Sequence, residues 1–185
     1  CREADLDTLR REIGDRAIVL DVALRPWPQC EVIDTLAPQL DQPLSPQVGV
    51  ADSAPTAGQT LTLTASTADF EGFLHIAYFQ ADGSVVHLAQ PNPLNLRSLA
   101  PRSTLVFGDG QEGRARFVVQ QPFGPEMVLA IQSASPLFAD PRPPLEDARS
   151  FLTALRTAML AQPFADRRPR VVTASIQTLE TREMP

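Results

Sequence analysis

The sequence predicts a mainly β protein: an Ig-like antiparallel β-sandwich with one C-terminal amphipathic helix and a small N-terminal α/β unit. Three observations carry this reading. Short apolar runs recur at roughly 8–15-residue spacing, separated by Gly and Pro turns, as in sandwich folds. The stretch GFLHIAYFQADGSVVHLAQPN at 72–92 reads as a β-hairpin closed by Asp82-Gly83 and broken by Pro91-Asn92. One segment, 145–160, switches to helical period and sets Leu145, Ala148, Leu152, Leu155 and Met159 on one stripe, with Phe151 beside it.

The elements follow in order. Leu6, Leu9 and Ile13 recur at helical spacing, with Asp5 as a cap and Gly14 as a stop. Residues 17–24 alternate, placing Ile18, Leu20, Val22 and Leu24 on one strand face. Pro26 and Pro28 end that strand around Trp27. Residues 30–36 read as a short helix with Val32, Ile33 and Leu36 inward, stopped by Pro38. Residues 40–46 (LDQPLSP) are rich in turn formers and form the best linker. The boundary therefore falls between a helix-strand-helix unit, 1–46, and a sandwich domain, 47–185. In the second part, strands are expected at 60–65, 73–80, 84–89, 104–107, 114–119, 127–133 and 171–179. Pro143 and Pro144 precede the helix, and Pro163 ends it.

With 185 residues and 43% hydrophobic content, the chain can bury one ordinary core, with room for a small appendage. The net charge of −6 argues against nucleic acid or an anionic membrane as partner, because both need a basic field. Every one of the 16 basic residues is arginine, which genome composition explains. No run approaches the ~20 apolar residues of a membrane span. The first residue, Cys1, fits either the lipidated start of a mature lipoprotein or a cut within a longer chain. The helical pattern directly after it favours the cut. Cys1 and Cys30 are the two cysteines, and they suggest one disulfide in an oxidising compartment. A closed loop of ~30 residues would add about 3–4 kcal/mol in the chain-entropy account.

No catalytic constellation is readable. His75 and His87 are the two histidines. A two-residue Asp82-Gly83 turn would set Tyr78 opposite His87. The two rings would then lie on opposite faces of the sheet, which excludes a shared metal unless a bulge intervenes. No serine stands in a Gly-x-Ser-x-Gly turn. Asp69, Glu71, Asp82, Asp109, Glu112 and Glu126 mostly occupy expected turns, and the segment 109–113 lacks the ligand spacing of a calcium loop. Trp27, beside Arg25, is either a partner-facing anchor or the seam between the two units. Phe73, Tyr78, Phe79, Phe117 and Phe123 read as core, whereas Phe138 and Phe164 flank Pro-rich turns.

The hairpin sequence at 72–92, together with PFGPEMVLAIQSASPL at 122–137, resembles the bacterial domain family of unknown function DUF4384. The shared pattern is Gly-aromatic, strand, Asp-Gly turn, strand, Pro-Asn, then a Pro-x-Gly-x-Glu strand ending Ser-x-x-Pro-Leu. It covers about residues 58–137. The resemblance implies an accessory module of the kind appended to Ser/Thr kinases or caspase-like proteases. It implies no active site and no cofactor. The N-terminal stretch around Trp27 is similar to segments beside such modules in kinase-linked secretion proteins.

These readings converge on a non-enzymatic extracytoplasmic interaction or sensory module of a bacterial envelope protein, periplasmic and part of a longer membrane-anchored chain. Its expected partner is a protein or peptide of the envelope, met by a sheet edge and by the loops at 92–95 and 139–144. The candidate contact residues are Trp27, Asn92, Asn95, Phe138 and Arg142. The alternative is an envelope hydrolase using paired carboxylates in a cleft.

Overall fold

A computed structural model describes residues 8, 11–14, 25–40, 42, 45–91, 96–161 and 169–181. Its named elements are α1 (Gln29–Leu40), β1 (Gln47–Val50), β2 (Leu63–Ser66), β3 (Phe73–Phe79), β4 (Ser84–Ala89), β5 (Thr104–Phe107), β6 (Gly124–Ser133), β7 (Leu145–Asp147), α2 (Ala148–Ala161) and β8 (Arg170–Thr178). The strands form two antiparallel sheets, β1-β2-β5 and β7-β4-β3-β6-β8. This is the mainly β, two-sheet architecture that the strand spacing predicts. The expected strand at 17–24 lies outside the described residues.

The large sheet is buried on both faces. One face meets the small sheet: Leu74, Ile76, Tyr78, Val128, Ala130 and Ile176 pack with Leu61, Leu63 and Ala65. The opposite face carries Ala77, Phe79, Val85, Met127, Leu129 and Ile131. It is covered by Val32 and Leu36 of α1 and by Phe151, Leu152 and Leu155 of α2. This explains why β3 and β6 read as nearly continuous apolar runs; strands covered on both sides need not alternate. Both helices thus contribute to one core.

Several expected boundaries move, each for a local reason. Residues 145–147 do not start the helix; they pair with 84–86 on the outer edge of β4. Leu145 is therefore exposed instead of joining the apolar stripe. The helix begins three residues later than expected, at Ala148, and Asp147 caps it by accepting from the Arg149 amide at 2.8 Å and the Ser150 hydroxyl at 2.9 Å. Pro38 does not stop α1, which continues to Leu40 with the proline in its last turn. Segment 114–119 forms no named strand; Val118 bridges Thr60, and Arg116 bridges Gly108 and Asp109.

The hairpin turn also differs from expectation. Gln80, not Ala81, pairs with Ser84: the Gln80 amide donates to the Ser84 carbonyl at 2.9 Å, and the Gly83 amide to the Gln80 carbonyl at 3.0 Å. The loop thus has three residues, Ala81, Asp82 and Gly83. Gly83 adopts φ 84°, the left-handed conformation that glycine tolerates best. Ala77, not Tyr78, now opposes His87. A further register shift follows between Ile76 and Ala77.

Candidate functional site

Two polar clusters are built on opposite faces of the β3–β4 hairpin. On the helical face, the altered register brings His75 and His87 together, which corrects the expectation that they point apart. His75 Nε2 lies 3.0 Å from His87 Nδ1, and His87 Nε2 lies 2.8 Å from Glu146 Oε1. Arg142 closes the chain on Glu146, with Nε donating to Oε1 at 2.9 Å and Nη2 donating to Oε2. The guanidinium also stacks 5.6 Å from the Phe138 ring centroid. Phe151 packs parallel to His75 and edge-on to His87.

The protons of this relay follow from its chemistry. The Arg142 and His87 hydrogen bonds hold the Glu146 carboxyl below its usual range despite partial burial, so it is an acceptor. His87 Nε2 must then carry hydrogen. Burial lowers the His87 pKa and favours the neutral ring, which leaves Nδ1 as an acceptor for His75 Nε2–H. His75 Nδ1 remains buried without a hydrogen-bond partner. Burial, reinforced by the charges of its neighbours, depresses the His75 pKa to about 3. Among the described residues no group of three or more His, Cys, Asp or Glu side chains is placed to hold a metal ion.

On the sandwich face lies an open cleft of about 260 Å³. Val86 and Leu88 of β4 form one wall, and Phe117, Val118 and Val119 form another. Tyr78 and Glu126 line it as a hydrogen-bonded pair, the phenol donating to Glu126 Oε2. Glu126 is only 4% exposed. Burial raises its pKa, and the nearby Asp82 adds to this, while the Tyr78 hydrogen bond works the other way. Burial likewise raises the Tyr78 phenol. Glu126 is the one carboxylate among the lining residues.

The cleft rim is the extended segment around Val118, joined to residues 58–61 by an isolated antiparallel bridge. Residues 58–61 hold the alternate residues of the neighbouring segment: the Leu61 amide donates to the Phe117 carbonyl at 3.0 Å, and the Val119 amide to the Gln59 carbonyl at 2.9 Å. Val118, between them, turns its backbone groups the other way, where no backbone partner is found among the described residues. Its side chain is 48% exposed.

The predicted contact residues scatter. Trp27 is a seam residue that keeps part of its surface open. Its indole donates to Glu31 at 2.7 Å, Arg149 lies 5.0 Å over its ring, and its edge packs on Gly83. Phe138 and Arg142 come together, but on the histidine relay. Asn92 and Asn95 lie outside the described residues. A second cleft of about 260 Å³ is lined by Leu74, Ala89, Pro91 and Leu105. Cys30 is buried at the start of α1, and Cys1 lies outside the described residues. Sequence reasoning placed Glu126 in a turn and Tyr78 in the core, so it did not pair them. The Gly-Pro-Glu start of β6, with Glu126 two residues before Val128, the partner of Tyr78, was the available signal.

Residues 56–136 match the family model described as Domain of unknown function (DUF4384). The match spans the hairpin, the Val118 segment and all of β6, in agreement with the resemblance carried by the stretches at 72–92 and 122–137. No curated protein and no solved structure gives a significant match.

Proposed function

We propose that this chain, a DUF4384-like module over residues 56–136, is a non-enzymatic interaction or sensory module of a bacterial envelope protein. Its site is the Val118 edge, where it receives an extended segment of a protein partner over the cleft. The observation that carries this reading is the open edge: the Val118 amide and carbonyl have no backbone partner among the described residues and stand beside an apolar cleft. Strand addition supplies main-chain hydrogen bonds from such an edge and side-chain pockets beside it. The two-carboxylate hydrolase is the weaker reading, because the cleft lining offers one carboxylate where the mechanism needs a pair. Extracytoplasmic placement, attachment to a longer anchored chain and a Cys1–Cys30 bridge belong to the same proposal.

The test is selection of binders from an unbiased peptide library, followed by NMR shift mapping on the chain and on Val118→Pro. Proline removes the outward amide, which has no backbone partner among the described residues. Binders that map to 116–120 and weaken at least tenfold on Val118→Pro are expected. Binders that map elsewhere and ignore the substitution would refute the reading.

A further inference from the structure

Resting on that reading of the edge, we infer that the cleft selects a lysine or arginine side chain of the bound segment, whose cationic head is received by Glu126. The carboxylate is nearly inaccessible and incompletely satisfied. Oε2 accepts the Tyr78 phenol, while Oε1 has only a long contact of 3.4 Å from the Ala81 amide. An ionised carboxylate offers about four lone-pair sites, so acceptor capacity remains. Among the described residues no cation forms an ion pair with Glu126. Arg116 also lines the cleft, but its guanidinium donates to the Thr60 hydroxyl at 2.8 and 3.0 Å.

The walls fit the stem of such a side chain. Leu61, Val86, Leu88, Phe117 and Val119 present apolar surface along the approach, and lysine and arginine bury their methylenes on such surface while the head reaches a polar group. Pairing a buried carboxylate with a cation removes the cost of leaving it without a counter-charge. An acidic side chain would meet the opposite condition, and an uncharged apolar one would leave Glu126 as it is.

The experiment uses the peptides selected on the intact chain. Enrichment of Lys or Arg at one position is expected, with at least a tenfold loss when that position becomes norleucine or glutamine. Glu126→Gln should erase the difference between the charged and uncharged peptides, because the amide keeps the shape of the side chain and removes its charge. Carbon-detected titration of Glu126 in the unmutated chain gives a readout independent of variants: the bound cation should bring its raised pKa down. Val118-dependent binders with no basic preference, or a Glu126 titration that ignores a saturating basic peptide, would overturn the inference and leave the edge reading intact. A library with no Val118-dependent binder would overturn both.

Discussion

Replacing His75 by leucine should flatten the acid side of the stability curve. In the folded chain the His75 pKa falls from 6.5 to about 3, with burial as the first cause. The sign follows from linkage. As the pH drops below 6.5 the unfolded chain takes up the proton and the folded chain does not. The contribution is therefore complete above that pH and is lost on acidification towards pH 3. The size follows from the same two values: between pH 7 and pH 5 the folded state loses roughly 2 kcal/mol from His75 alone. His87 adds in the same direction, since its pKa is also lowered. Glu146 sits below its ordinary 4.5, so its acid loss falls outside this window. Glu126 is raised and has the opposite sign, favouring the folded state as pH falls. Comparing the two proteins cancels Glu126. The assay is urea unfolding of both at pH 7, 6, 5.5 and 5. Total stabilities are typically about 5–15 kcal/mol, so a 2 kcal/mol change is resolved. His75→Leu starts less stable, because His87 Nδ1 loses its donor, yet its curve should fall less steeply. Parallel curves for the two proteins would refute the relay as drawn.

Gly83→Val should cost more than the ~1 kcal/mol of ordinary glycine replacement. Its φ of 84° disfavours a branched residue, and a Cβ there would sit 2.8 Å from Trp27 Cζ3. The single tryptophan reports this directly, through a lower melting temperature and a red-shifted emission. Ile76→Asp should destabilise by several kcal/mol (about 4 or more), because Ile76 is 1% exposed between the sheets and a carboxylate there has no partner; loss of the cooperative urea transition is the expected readout. Cys1 and Cys30 should be joined in chain exported to an oxidising compartment, and non-reducing mass spectrometry that finds two free thiols would count against the bridge.

The fold class was legible because the patterns that specify it are local. Gly/Pro punctuation marks the strands, and the Phe151, Leu152 and Leu155 stripe marks the helix. The sites were less legible because they depend on register. Sequence gives Asp82-Gly83 as a turn, but both a two-residue and a three-residue loop accept that dipeptide. Only the second sets His87 opposite Ala77. The start of α2 was misread for a related reason. Leu145 has helical phase, but a free β4 edge beside Pro144 captures it first, with the His87 amide donating to the Pro144 carbonyl at 3.0 Å. The Val118 edge was hidden because 114–119 alternates well enough to read as an ordinary strand.

The same turn decides both clusters, and this explains why its residues are constrained from two sides. Side chains alternate along β4, so the register that gives His87 to the helical face gives Val86 and Leu88 to the cleft. A shift by one residue would put His87 into the cleft wall and turn Val86 and Leu88 against Glu146 and Phe151. It would break the Glu146 hydrogen bond and remove the apolar wall at once. Register is therefore held by more than the loop. The His87–Glu146 contact ties β4 to β7, and Trp27 rests on Gly83 from the N-terminal side. The β7 strand, too short to contribute much apolar burial, gains its importance here: it carries the carboxylate that fixes which face of β4 looks at the cleft.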